Sequence, residues 1–243
     1  RIPAPRARPA RVRPVRLRPA FSGRAMKHPL QQAVFHLTVA DDRQLPPPGP
    51  PELAFAGRSN AGKSSAINAL ANQTRLAFTS KTPGRTQQIN FFQLRGGALL
   101  ADLPGYGYAA VPHKLKRHWQ AFLARYLATR QTLVGLALVV DARHGLSDLD
   151  RQLLAGFLPS GRPVAVLATK MDKLTASAQR PAAAAIERDV AVAFPAQAAN
   201  VTVIPFSATK RTGVERAETL IAYWLGEGAP PGEAAIAEDQ KKG

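Results

Sequence analysis

The chain of 243 residues has no cysteine, which excludes both a disulfide scaffold and a thiolate metal site. Acid is scarce: 16 Asp and Glu stand against 33 Lys and Arg, for a net charge of +17. No apolar run is long enough to span a bilayer, and those near residues 134–140 are no longer than a strand. The start lacks the apolar core of a secretory signal. Its arginines have the charge of an organelle transit peptide, but five prolines exclude the amphipathic helix such a peptide needs. The expectation is a cytoplasmic protein with no membrane partner.

Both ends differ from the middle. Residues 1–25 hold eight Arg, five Pro and no acid, and residues 227–243 are rich in Gly, Pro and charge. Neither stretch can build a core, so each is expected to be a disordered extension or tail. Met26 is a plausible true start, and an arm that touches RNA is the lesser reading of residues 1–25. Residues 26–226 then form one domain. Setting aside the eight Arg of the first 25 residues leaves +9 on the remainder, so the domain is basic in its own right. That favours a polyanion such as RNA or anionic lipid, against the plain alternative of a generally basic soluble protein.

Residues 57–65 read Gly57, Arg58, Ser59, Asn60, Ala61, Gly62, Lys63, Ser64, Ser65, a complete G-x-x-x-x-G-K-[ST] loop. The apolar run 53–56 precedes it and a helix-like segment, 65–70, follows it, which is the strand–loop–helix setting of a phosphate-binding P-loop. Further strands are predicted at 34–39, 136–140, 164–167 and 201–206, with a hairpin over 89–94 and 98–102 turned at Gly96 and Gly97. A Pro-rich stretch at 45–51 reads as an exposed connector, with a polyproline ligand site as the alternative. Helices are predicted at 112–129, 147–158, 174–193 and 213–225. In the first of these Leu115, Trp119, Phe122, Leu123, Tyr126 and Leu127 share an apolar face. Lys114, Lys116, Arg117, His118 and Arg125 give the other side one sign of charge, a solvated surface or an RNA contact. Alternating strands and helices imply a mostly parallel sheet covered on both faces.

Four later segments narrow the chemistry. Asp102, Leu103, Pro104 and Gly105 form a D-x-x-G at a strand end: the carboxylate can hold a Mg²⁺-bound water, and Gly105 can offer its N–H to a γ-phosphate. Thr169, Lys170, Met171 and Asp172 place a carboxylate where it can accept both the ring N–H and the exocyclic amino hydrogen of guanine. Adenine lacks both, so the acceptor would be left desolvated and unpaired. Phe206, Ser207 and Ala208 close the last strand, where backbone N–H groups can cap the guanine carbonyl. Pro83, Gly84, Arg85, Thr86 and Gln87 lie where a Mg²⁺-coordinating switch hydroxyl belongs; Thr79 and Thr82 compete for that role, and Thr86 is chosen for its place before the following strand.

In this order the segments 57–65, 80–87, 102–109 (Asp-Leu-Pro-Gly-Tyr-Gly-Tyr-Ala), 169–173 and 206–208 resemble the EngB/YihA/YsxC family of bacterial ribosome-biogenesis GTP-binding proteins. The resemblance covers about residues 26–226. It implies a Ras-like P-loop GTPase domain, with a mostly parallel six- or seven-stranded sheet and helices on both faces. It also implies a monomeric GTP/GDP switch in assembly of the large ribosomal subunit, needed for growth and division, with ribosomal RNA and proteins as partners. Under it Lys63 bridges the β- and γ-phosphates, Asn60 through Ser65 supply cradle N–H groups, and Ser64 ligates Mg²⁺. Thr86 joins the ion in the GTP state, Asp102 holds it through water, Asp172 reads guanine, and Lys170 packs along the base. Thr169 departs from the commoner Asn of GTPases, which implies a modest base affinity. Tyr106 stands where Ras-type switches carry a water-orienting Gln, so slow turnover is expected, on the order of 10⁻⁴ s⁻¹ for a GTPase without such help. Asn60 matches the Asn that binds K⁺ in related bacterial GTPases, which suggests K⁺ stimulation; shaping the loop is the simpler role. RNA-modification GTPases and ATP-using kinases are the alternatives, the first disfavoured by the chain's size and the second by residues 169–172.

Overall fold

Strands that are apolar at nearly every position are stable only in a sheet covered on both faces. The computed structural model describes residues 30–78, 88–107 and 113–227, with side chains in 113–129 from residue 121 onward, and it contains such a sheet. In chain order the first elements are β1 (Val34–Val39), β2 (Glu52–Gly57), α1 (Lys63–Leu70), β3 (Ile89–Gln93), β4 (Leu99–Asp102) and α2 (His113–Thr129). There follow β5 (Leu133–Asp141), α3 (Asp148–Phe157), β6 (Val164–Thr169), α4 (Ala176–Ala193), β7 (Val201–Pro205) and α5 (Val214–Trp224). The sheet runs β1-β3-β4-β2-β5-β6-β7. β1, β3 and β4 pair antiparallel, and the pairings from β4 through β7 are parallel.

The two-residue period of the strands sorts the core into two layers. Ala54, Ala56, Leu136, Leu138, Val164 and Val166 face one side, where Phe122 and Tyr126 of α2, Leu154 of α3 and Ile186 of α4 cover them. Leu53, Phe55, Ala137, Val139, Ala165 and Leu167 face the other, under Ile67 of α1 and Ile221 of α5. The strands and helices expected from the sequence are all present, with shifted ends: β5 begins at Leu133, three residues earlier than expected. The β3–β4 hairpin closes through Arg95, Gly96 and Gly97 instead of two residues, with the Leu94 carbonyl accepting from the Gly97 N–H at 2.9 Å. Residues 1–25 and 228–243 lie outside the described residues. Among the described residues no helix is long and apolar enough to cross a membrane.

One buried charge fixes the start of β2. Glu52 is 1% exposed and accepts from the Tyr126 hydroxyl at 2.9 Å, the Thr132 hydroxyl at 2.7 Å and Arg130 Nε at 2.9 Å, with an Arg130 Nη2 contact besides. Burial, and then the adjacent Glu52, push the Tyr126 phenol well above its ordinary range, so it stays a donor. The network ties the strand that leads into the P-loop to the end of α2. Removing one partner of such a pair leaves an uncompensated charge in the interior. Arg130→Met is therefore expected to cost about 3–5 kcal/mol of unfolding free energy. Urea denaturation with an unchanged slope measures it, and a loss below about 1 kcal/mol would contradict this role.

Candidate nucleotide-binding site

In a parallel sheet, ligands gather beyond the carboxyl ends of the strands. β2 ends at Gly57, where an added Cβ would come within 2.6 Å of the Val139 carbonyl oxygen, so only Gly lets β2 and β5 approach this closely. The chain then turns back over its own strand. Asn60 adopts a left-handed φ of 66°, which Asn tolerates better than most residues, and Gly62 (φ 99°) caps α1 at Lys63. Among the described residues the Ser64 hydroxyl on the first turn of α1 has one long contact, 3.5 Å to the Phe78 carbonyl. Ser65 is exposed on the same turn.

Asp102 ends β4 and is buried, with the Lys63 ammonium bonded to its Oδ1. The Leu103 N–H donates to the Phe55 carbonyl at 2.9 Å, and Pro104 carries the chain on to Gly105, which crosses the P-loop. A Cβ on Gly105 would sit 3.0 Å from Ser59 Oγ and 3.2 Å from Ser59 N, tight enough that the loop would have to shift to admit one. Beyond it the Tyr106 N–H donates to the Gly57 carbonyl at 3.4 Å, and the Tyr106 carbonyl accepts from the Ser59 N–H at 2.9 Å. The D-x-x-G turn is thus stitched along the outside of the loop. A weakly engaged hydroxyl and a buried carboxylate beside a lysine are hard oxygen donors that fit Mg²⁺, an ion held by one or two such groups together with phosphate and water.

The segment after β6 is fastened to the same loop. Thr169 is 4% exposed, and its hydroxyl lies 2.5 Å from the Ala61 carbonyl and 3.0 Å from that of Val140, with one proton to give. Lys170 (φ 59°) bonds the Asn60 carbonyl at 2.6 Å and Asp141 at 3.0 Å. Met171 is buried, and its N–H donates to the Phe206 carbonyl at 3.3 Å; the Phe206 N–H donates to Ala168 at 2.8 Å. Ser207 is 1% exposed, and its hydroxyl donates to Asp172 Oδ1 at 2.6 Å while accepting from the Lys210 N–H at 3.0 Å. That hydroxyl holds the Asp172 carboxyl below the ordinary carboxylate range. Ala208 packs part-buried beside it. Pro83, Gly84, Arg85, Thr86 and Gln87 lie outside the described residues.

Three residues that the sequence reading passed over belong to this region. Asp141 ends β5 and joins Lys170 to Arg143, whose Nη2 is 2.7 Å away. Burial pushes its carboxyl up, but the hydrogen bonds from Arg143 and Lys170 together outweigh that and hold it far below the ordinary range. Asp150 on α3 accepts the Tyr106 hydroxyl at 2.5 Å. Burial first, then Asp150, push that phenol far above its ordinary range. The S-x-x-D of a helix cap at Ser147–Asp150 was the signal that could have pointed to Asp150. A cavity of about 220 Å³, lined by Arg58, Asn60, Asp141, Arg143, His144 and Lys170 among others, opens beside the loop. Lys63, Ser64 and Asp172 are not in its walls.

Residues 52–170 match the family model of 50S ribosome-binding GTPases. The chain is 52% identical over 204 residues to a probable GTP-binding protein EngB of Azoarcus sp. (strain BH72), covering 84% of this chain and 96% of that protein. It is 53% identical over 196 residues to the probable GTP-binding protein EngB of Aromatoleum aromaticum (strain DSM 19018 / LMG 30748 / EbN1), covering 81% and 89%. A crystal structure of a probable GTP-binding protein engB shares the fold, with a TM-score of 0.57 and 22% identity over 72% of this chain and 98% of that one. With about half of the aligned residues identical across nearly the whole length of such relatives, the chain belongs to the EngB family of GTP-binding proteins and is a P-loop GTPase.

Proposed function

We propose that this GTPase is a slow guanine-nucleotide switch that acts on the large ribosomal subunit or its precursor. The observation that carries the proposal is the convergence of Lys63, Asp102 and Gly105 on one side of the P-loop with Asp172, pinned by Ser207, in the segment fastened to it. The ribosomal part is supported by the description of the matched family as 50S ribosome-binding and by the net charge of +17.

In this reading the cradle N–H groups of residues 60–65 take the phosphates, that of Ala61 exchanging the Arg58 carbonyl for them. Lys63 exchanges Asp102 for the β- and γ-oxygens, and Gly105 offers its N–H to the γ-phosphate. Ser64 and Asp102, with Thr86, would hold Mg²⁺, which when bound neutralises charge on the β- and γ-phosphates. Asp172, with Ser207 on Oδ1 and the Lys173 ammonium 3.8 Å from Oδ2, accepts from guanine. The ammonium of Lys170 is tied to Asn60 and Asp141, so its stem is the part left to lie along the base. Contacts of Thr86 and Gly105 with the γ-phosphate form only in the triphosphate state and are lost on hydrolysis, which is how the nucleotide state would be passed to a partner.

Turnover is slow because no carboxamide follows Gly105. Tyr106 stands there instead, with its hydroxyl committed to Asp150. Asn60 is exposed on the loop, where its carboxamide can bring K⁺ to the β- and γ-phosphates. GTP hydrolysis is expected to be faster in K⁺ than in Na⁺ buffer at equal ionic strength; equal rates would leave Asn60 with loop shaping alone.

Co-sedimentation with isolated large subunits tests the partner. Binding is expected with a non-hydrolysable GTP analogue, to be much weaker with GDP, and to fall steeply between low and moderate salt as phosphate contacts are screened. Equal binding in both nucleotide states, or no salt dependence, would contradict the proposal.

A further inference from the structure

We propose that Asp150 is a positioning residue for the triphosphate turn: acting through Tyr106, it holds Gly105 over the P-loop and so favours a nucleotide with a γ-phosphate over one without. The inference rests on the reading of residues 57–65 and 102–105 as the phosphate site.

Tyr106 follows Gly105 directly and is held at both ends. Its backbone is bonded to Gly57 and Ser59, and its hydroxyl donates to Asp150 Oδ1 at 2.5 Å. Asp150 is itself immobilised: it is 2% exposed, and its Oδ2 accepts from the Ser147 N–H at 2.7 Å and the Ser147 hydroxyl at 2.5 Å, the capping box of α3. A continuous line of hydrogen bonds therefore runs from the turn beside Asp102 to the first turn of a helix 44 residues further along the chain. The phenol is always the donor, since burial and the neighbouring carboxylate keep its proton on.

The direction of the effect follows from where the turn is held. Gly105 lies tight against Ser59, where a Cβ would come within 3.0–3.2 Å, so the anchor fixes it over the loop and not away from it. A hydrogen bond from the Gly105 N–H to a γ-phosphate exists only when a triphosphate is bound. An anchor that keeps the turn in place spares the triphosphate the cost of ordering it and does nothing for a diphosphate. A carboxylate that served only to cap α3 would instead weaken the fold and both nucleotides alike.

The test measures equilibrium dissociation constants for GDP and for a non-hydrolysable GTP analogue, with urea midpoints alongside, in wild type, Tyr106→Phe, Asp150→Asn and the double variant. Tyr106→Phe removes only the hydroxyl and leaves the capping box whole, so it remains informative if Asp150→Asn fails to fold. Each single variant is expected to weaken the GTP analogue about tenfold relative to GDP, the worth of one hydrogen bond to a charged group. GDP affinity should stay within about twofold, and the double variant should be no worse than the singles. Equal losses for both nucleotides, an unchanged ratio, or additive effects in the double variant would overturn the proposal. Wild-type protein that binds neither nucleotide would overturn the phosphate-site reading, and this inference with it.

Discussion

A loop that aims its N–H groups at a phosphate must turn its carbonyl groups away from it. Each carbonyl then needs another donor, most of all where it is buried, because an unpaired backbone group away from water is costly. In this chain that requirement ties the site together. The Gly57 carbonyl takes the Tyr106 N–H, Arg58 takes Ala61, Asn60 takes the Lys170 ammonium, and Ala61 takes the Thr169 hydroxyl. The D-x-x-G turn and the 169–172 segment are therefore both fastened to the back of one loop. The sheet makes this possible by ending β2, β4, β5 and β6 side by side.

The same constraint accounts for the residue that departs from the commoner GTPase pattern. At position 169 the protein needs a donor for the Ala61 carbonyl, and a threonine hydroxyl supplies one as an asparagine amide would. In the proposed reading, contact with the base then falls to Asp172, which Ser207 orients, and to the stem of Lys170. Asn60 fits in a similar way. Its left-handed backbone shapes the loop, and its carbonyl, not its side chain, is what Lys170 engages.

Much of this was legible in the sequence because it is local. The P-loop, the D-x-x-G and the Thr-Lys-Met-Asp each sit at the end of a strand whose apolar run is visible, and residues a few positions apart in such a turn have little choice of geometry. The contacts that stayed hidden join residues far apart in the chain. Glu52 meets Arg130 only because β2 pairs with β5 in one register and α2 packs on a chosen face. Tyr106 meets Asp150 across 44 residues for the same reason. The motif context named Thr169 and Tyr106 but could not say which way their side chains turn: Thr169 faces the loop, and Tyr106 faces α3. The hairpin turn at 95–97 differed from expectation because a three-residue loop and a two-residue one can carry the same glycines.

The dependence of the nucleotide site on its carbonyl partners is tested most directly at Thr169, where valine removes the hydroxyl and keeps the shape. Equilibrium binding of GDP and of a GTP analogue, with ATP as competitor, should be compared between wild type and Thr169→Val. If the P-loop is held by this donor, both guanine nucleotides weaken by about fivefold or more, while ATP remains a poor competitor because Asp172 is untouched. Unchanged guanine-nucleotide affinity in a folded variant, or ATP competing once the hydroxyl is gone, would contradict it.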